Sequence, residues 1–357
     1  MTPRSPRQSH IDALKVVAAH LIVLHHFALY GPLALGLAQA APEAAQWLRN
    51  YALMAVHVFL AMGGFLAARS LSTQGLQSQP WWVWVAERYL RLLPPFALAL
   101  LLAIACSWLA RQWLVDDFIP AAPTAWQVLA HLVFAQDIAD VESLSAGVWY
   151  VAIDFHLYAL LALLLRGGPQ LGAALVLGLT AASALVFNRQ AHLDEWAIYF
   201  FGSYGLGAAA WFASRSRRAH LWLAGLALLG LLALALEFRE RLLLALATAL
   251  ALGLWQRRAG AAPAATPARW QARARALLAQ QGQASFALFL LHFPVLLLAH
   301  AAYSAAGLSQ PWQALTVLLA AWLASLLGAM AWFRWVELPL QQRLGGWAAR
   351  LGVQGGG

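Results

Sequence analysis

The first apolar run of the chain carries Asp12, Lys15 and His26, with His20 and His25 beside them, among residues that are otherwise almost all hydrophobic. Lys15 is the only lysine in a sequence with twenty-two arginines. Each residue of an α-helix turns by about 100°, so eleven steps bring His26 to within roughly 20° of Lys15, and Asp12 falls within roughly 40° of the same stripe. The helical rise separates Lys15 from His26 by about 16 Å, roughly half the hydrocarbon thickness of a bilayer. Imidazole can take and return a proton near neutral pH. A base and a cation on one stripe of an apolar helix therefore point to a site reached from both faces of a membrane. His25 is turned about 100° from His26, so only one of the two lies on that stripe.

Further ionisable residues interrupt other apolar runs: His57, Asp154, His156, His292 and His300. Such groups are expensive at membrane depth and generally face a bundle interior or a water-filled cavity. Their positions along the runs put several of them at similar depth, which predicts one polar cavity open to the outside. His26 and Asp154 read as functional groups, whereas His20, His156 and His300 read as interhelical hydrogen-bonding groups. Arg88 and Arg91 are three residues apart and share a face at the start of the third apolar run. Two guanidinium forks there could clamp a phosphate-bearing ligand, although the same pair would also serve as a basic membrane anchor. The single cysteine, Cys106, permits no internal disulfide, and no Cys/His spacing suggests a metal site.

These residues need an apolar scaffold, and the composition supplies one. Of 357 residues 62% are hydrophobic and 10% charged, against about 25% charged in a typical soluble domain. The net charge of +9 does not indicate nucleic acid, because the basic residues occupy short gaps between apolar runs. The runs are long and do not alternate, which excludes barrel strands. The reading is an all-α, polytopic transmembrane helix bundle of about ten spans, at 11–30, 50–68, 93–113, 148–166, 170–187, 196–213, 220–237, 239–256, 285–303 and 312–335, each near the roughly 20 residues needed to cross. Segment 126–138 is apolar but short and reads as a partly buried loop helix. With the N-terminus in the cytoplasm, sixteen arginines, from Arg4 and Arg7 to Arg343 and Arg350, fall inside, and five fall outside (Arg49, Arg111, Arg189, Arg239 and Arg241). An even number of spans then puts both termini in the cytoplasm. The acids Asp116, Asp117, Asp137, Asp140, Glu142, Asp194 and Glu195 sit in outer loops. Residues 1–345 read as one membrane domain with a cytoplasmic loop at 257–283, followed by a short tail at 346–357. Ala38-Gln39-Ala40 resembles a signal-peptidase site, but Lys15, His20, His25 and His26 in the preceding run favour an uncleaved first helix.

Six segments, in order, make the chain resemble the acyltransferase 3 family. Asp12-Ala13-Leu14-Lys15 with His26 eleven residues on is similar to the family's Asp-x-Leu-Arg with its later histidine. Val58-Phe59-Leu60-Ala61-Met62-Gly63-Gly64-Phe65-Leu66 resembles a Phe-Phe-x-x-Ser-Gly-Phe/Tyr-Leu segment, and Arg88-x-x-Arg91-x-x-Pro94 resembles its basic motif. Trp149-x-x-x-x-Asp154-x-x-x-Tyr158, Ser285 through His292 to Pro294, and Glu337-Leu338-Pro339 complete the set. Three positions depart from the pattern: Lys15 stands for arginine, Asp154 for glutamate and Gly63 for serine.

The resemblance implies an integral membrane enzyme, an O-acetyltransferase-like acyltransferase of the bacterial inner membrane. Acyl groups would pass from cytoplasmic acyl-CoA, by family default acetyl-CoA, to a carbohydrate, glycolipid or similar acceptor outside. On that basis His26 is expected to be the general base or a transient acyl carrier, with Lys15 and Asp154 as catalytic partners. Arg88, Arg91 and Lys15 are expected to hold the acyl-CoA co-substrate, and His25, His57, Trp149 and His292 to line the acceptor site. No permanently bound cofactor, metal or nucleic acid is expected; membrane lipids are. A passage would join the donor mouth to His26. The competing expectation is a proton-coupled transporter of a small polar or acylated solute, although the paired broken helices and repeated halves common in such folds are not visible.

Overall fold

The structure is a computed structural model and describes residues 6–73, 79–258 and 269–343. Arg4, Arg350, the tail at 346–357 and the stretch 259–268 of the 257–283 loop lie outside the described residues, as does the side chain of Arg7.

The described residues form α-helices with short 3₁₀ turns and no strand: α1 (Pro6–Leu29), α2 (Gly31–Ala40), α3 (Pro42–Tyr51), α4 (Ala55–Thr73), α5 (Trp81–Ala110), α6 (Ala125–Leu132), α7 (Val148–Leu165), α8 (Pro169–Leu185), α9 (Ala197–Arg215), α10 (Ala219–Leu236), α11 (Glu240–Arg258), α12 (Arg269–Gln283), α13 (Ser285–Ala305) and α14 (Pro311–Trp332). All ten segments read as spans are helical, and eight helical stretches are long and apolar enough to cross a membrane. α9 and α11 fall outside those eight. α9 is diluted by Gly202, Gly205 and Gly207 and by tyrosines, yet is buried along nearly its whole length. α11 carries Glu240, Arg241, Arg257 and Arg258 at its ends. A helix that meets protein on every side has no need of a lipid-facing surface, so hydropathy understates α9.

Short helices occupy two connections that the apolar pattern had left as loops. α2 and α3 fill the stretch between the first two spans, each started by a proline in its first turn, where the missing N–H costs nothing. α12 occupies the second half of the 257–283 loop and packs along α1. The loop helix read at 126–138 is shorter than expected. It begins with a capping box between Thr124 and Gln127 and ends at Leu132, beyond which Phe134 adopts a positive φ of 57° with its ring fully buried.

α9 is the axis of the larger packed unit, against α4, α7, α8, α10 and α11. Its closest neighbour is α4. A Cβ on Gly64 would collide with the Tyr204 carbonyl, and one on Gly207 with the Ala61 carbonyl, so only glycine allows these two backbones to touch. A second packed unit joins α13, α14 and α2. α1 lies at the seam, giving Ala18 and Ile22 to the first unit and Ala19, Val23 and Phe27 to the second. The seam is what positions the ionisable stripe of α1.

Candidate active site

α1 and α13 meet through two imidazoles. His26 Nδ1 lies 2.7 Å from His292 Nε2, with the ring planes nearly parallel at 11°. His292 Nδ1 is 3.2 Å from the Leu288 carbonyl, one turn back on its own helix. A carbonyl can only accept, so His292 Nδ1–H donates to it and His292 Nε2 carries a lone pair. His26 Nδ1–H therefore donates to His292, and the lone pair of His26 resides on Nε2. Both rings are buried, His26 at 4% and His292 at 0% exposure. The expected passage to His26 is thus closed in this conformation.

The surroundings of His26 come from four further elements. Tyr30, just past the end of α1, lies over its ring at 5.7 Å and 22°. Gly147 is the residue before α7 and has φ of 82°. A Cβ there would come within 2.9 Å of the Phe289 ring and 3.6 Å of His26 Cε1. Glycine is therefore required both by its left-handed backbone and by the close approach of α7 to the histidine pair. Phe289 touches Tyr150, which in turn touches Phe59, closing an apolar wall around the imidazoles. Sequence reading missed Tyr30 and Gly147 as neighbours of His26 and Phe289 as a neighbour of His292; Gly147 comes from a distant segment, whereas Tyr30 and Phe289 lie one turn along the chain from the histidines.

A second polar cluster lies on α7 roughly 10 Å further along the helix. Asp154 Oδ2 is 2.5 Å from Arg88 Nη2, and the Arg88 guanidinium lies 5.3 Å from the centre of the Tyr158 ring. Arg88 is half-buried, with its Nε buried and without a hydrogen-bond partner among the described residues. The ion pair brings Asp154 of α7 and Arg88 of α5 together inside the bundle. Arg88 is not a bare phosphate clamp here, because its charge is already met by a carboxylate. Gly63 sits against the same group. A Cβ on Gly63 would lie 3.2 Å from Asp154 Oδ1 and 3.2 Å from the Tyr204 ring. Two departures from the family pattern, Gly63 and Asp154, are thus spatial neighbours.

The remaining expected site residues are dispersed. His25 is committed to α3 through Nδ1 and the Leu48 carbonyl at 3.0 Å. His57 is buried on α4 and bonded to Ser203 Oγ of α9 at 2.9 Å. Trp149 lies 5.7 Å from Phe200, whose ring also neighbours His57 at 6.4 Å, so Trp149 and His57 share one aromatic contact. Lys15 is half-buried on α1, while Asp12 is buried under Gly282 at the end of α12. Arg91 is exposed and lies within electrostatic reach of Glu337. Glu337 is buried in a π-helical turn (Phe333–Glu337), with one carboxyl oxygen lacking a hydrogen-bond partner among the described residues. Of the three histidines read as interhelical hydrogen bonders, His20 does bridge helices, accepting from Trp322 Nε1 of α14 at 3.3 Å. His156 is half-buried beside Phe155, and both His300 ring nitrogens are buried without a hydrogen-bond partner among the described residues. The ring neighbours of His300 are Phe118 and Gly31, and the Tyr30 backbone is within interaction range of it.

Residues 9–334 match the model of a family described as an acyltransferase domain. Among curated proteins, the chain is similar to the Regulator of hypoxia-inducible factor 1 of Caenorhabditis elegans. The two are 24% identical over 203 residues, covering 52% of this chain and 40% of that protein. The chain therefore matches about two-fifths of that relative's length. No solved structure matches it.

Proposed function

This chain belongs to the acyltransferase 3 family of integral membrane proteins, and from that premise we propose that it transfers an acyl group from acyl-CoA to a hydroxyl of an extracytoplasmic glycan or similar acceptor, with His26 as general base. The observation that carries the reading is the buried His26–His292 pair at 2.7 Å, which leaves a lone pair on His26 Nε2. In the transfer step the acceptor O–H gives its proton to His26 Nε2 while its oxygen attacks the thioester carbonyl. The C–S bond then breaks, and the departing CoA thiolate takes the proton back from the imidazolium. An alternative order, in which Nε2 attacks first and the acyl group rests on His26 before the acceptor arrives, uses the same lone pair.

Arg91, exposed and adjacent to the half-buried Arg88, is the side chain we assign to the CoA phosphates. Asp154 then acts as a positioning residue that holds Arg88, and Lys15 lies on the route between donor and base. The arginine asymmetry supports a cytoplasmic N-terminus, and we assign the donor side to that face; the bacterial inner membrane and acetyl as the acyl group are what the family resemblance implies.

Membranes containing the protein are to be given labelled acetyl-CoA and candidate glycans. Labelled glycan from the wild type, and none from His26→Ala protein inserted at the same level, is the expected result. Full transfer by His26→Ala would remove His26 from the chemistry. Proton-driven solute uptake by proteoliposomes without acyl transfer would favour a transporter instead.

A further inference from the structure

At one end of the bundle α8, α9 and α10 leave an open groove with about 110 Å³ of internal space. Small residues on two helices make room for it: Ala173 on α8, and Ala209 and Ala213 on α9. Val176, Leu177, Phe212, Trp222 and Leu226 form the rest of its apolar wall. Ser216 is the single polar residue in the lining, so a soluble polar ligand finds almost nothing to bind. The groove opens where the protein meets lipid. α8 and α10 are both among the stretches able to cross a membrane, and their outward side chains Leu171, Leu175, Leu221 and Trp222 are exposed and apolar.

The two turns that frame the groove are basic. Arg166 ends α7 just before α8, and Arg215, Arg217 and Arg218 lie at the α9–α10 corner; all four are exposed. Neither turn, 166–168 or 216–218, contains an acid. The opposite ends of the same helices differ. There Arg189 pairs with Glu237 at 2.7 Å, and the buried Arg239 donates to Asn188 and to the Ala184 carbonyl at 2.8 and 2.7 Å. At the groove end none of the four guanidinium groups is in an ion pair among the described residues.

We propose that this groove is a binding site for an anionic phospholipid: one acyl chain lies between α8 and α10, and the phosphate rests on the arginines of the adjoining turns. The apolar walls select a hydrocarbon chain, and the unpaired guanidinium forks select a negatively charged head group over a zwitterionic one. The site is separate from the histidine pair and does not depend on the acyl-transfer reading.

Native mass spectrometry of the full chain, stripped of lipid in detergent and titrated with phosphatidylglycerol or phosphatidylethanolamine, tests it. The wild type should retain phosphatidylglycerol on the order of tenfold more tightly than phosphatidylethanolamine. Arg217→Gln with Arg218→Gln should bring phosphatidylglycerol down to the phosphatidylethanolamine level. Ala213→Trp, which fills the groove, should weaken both lipids. Ala173→Leu, at the half-buried wall, gives the same reading should the tryptophan variant fail to fold. Equal affinity of the wild type for the two lipids overturns the proposal, as does phosphatidylglycerol retention unchanged by the arginine and groove variants.

Discussion

His26 is oriented by a second imidazole rather than by a carboxylate. A neutral acceptor fixes the tautomer and the ring angle but offers less to an imidazolium than an anion would, so in the proposed role a proton taken by Nε2 would be readily handed on. His292→Leu removes the acceptor and leaves His26 Nδ1–H buried and unpaired, whereas a glutamine carbonyl can still accept. We expect His292→Leu to lower kcat by about a hundredfold with little change in KM for acyl-CoA, and His292→Gln to recover part of the loss. A KM change in place of a kcat change would make His292 an acceptor-site residue. A second test concerns Asp154 and Gly63. Glutamate at 154 needs one more methylene, and the absence of a side chain at Gly63 leaves space beside the carboxylate. Asp154→Glu should keep most activity, and Gly63→Ser alone should crowd Asp154 and loosen its bond to Arg88. Steady-state rates of the two single variants and the double variant measure this coupling; strict additivity would mean that the two positions do not communicate.

The element scale is governed by where two helices approach too closely for any side chain. α4 and α9 cross at Gly64 and Gly207, each facing a backbone carbonyl of the other helix. Adding a methyl group there cannot be relieved by a rotamer change, since the obstacle is backbone. Gly64→Ala should destabilise the protein by about 1–3 kcal/mol or more, seen as a lower midpoint of thermal unfolding in detergent. An unchanged midpoint would mean that α4 slides freely along α9. A polar device works at the far end of α9. The buried Arg239 ties the α8 end, Asn188 and the α10–α11 turn through four hydrogen bonds. Arg239→Met leaves buried acceptors unmet and should lower stability by roughly 3 kcal/mol, with acyl transfer at low temperature retained.

For the whole molecule, the arrangement relative to the membrane follows from charge. The arginine-rich turns at 166–168 and 216–218 should lie on one side and the acids Asp116, Asp117, Asp194 and Glu195 on the other. Single cysteines introduced at these places in a Cys106→Ala background should react with an impermeant thiol reagent from opposite faces of sealed vesicles. Labelling of both sets from one face would overturn the topology, and with it the assignment of the donor side. The closed state of the site is also a property of the whole bundle. His26 sits at the seam between two packed units, where α13 gives Leu290 and Leu291 to one core and Leu288 and Phe293 to the other, so opening the site by moving α13 from α7 breaks the Phe289–Tyr150 contact.

Composition and run length alone determined that this is an all-helical membrane protein, because only helices or closed barrels satisfy their backbone in lipid and nothing here alternates. Periodicity on α1 marked Lys15 and His26 before any contact was known, and six ordered segments carried the family resemblance. The tertiary structure decided what those residues touch. That His26 would bond to His292, 266 positions away, and that Arg88 would be met by Asp154 instead of standing bare, could not be read along the chain. A helical repeat specifies direction around one axis and depth along it. It carries no information on which other helix lies opposite, and that is set by side-chain volume at the crossings, above all by the glycines that let α4 and α9 meet.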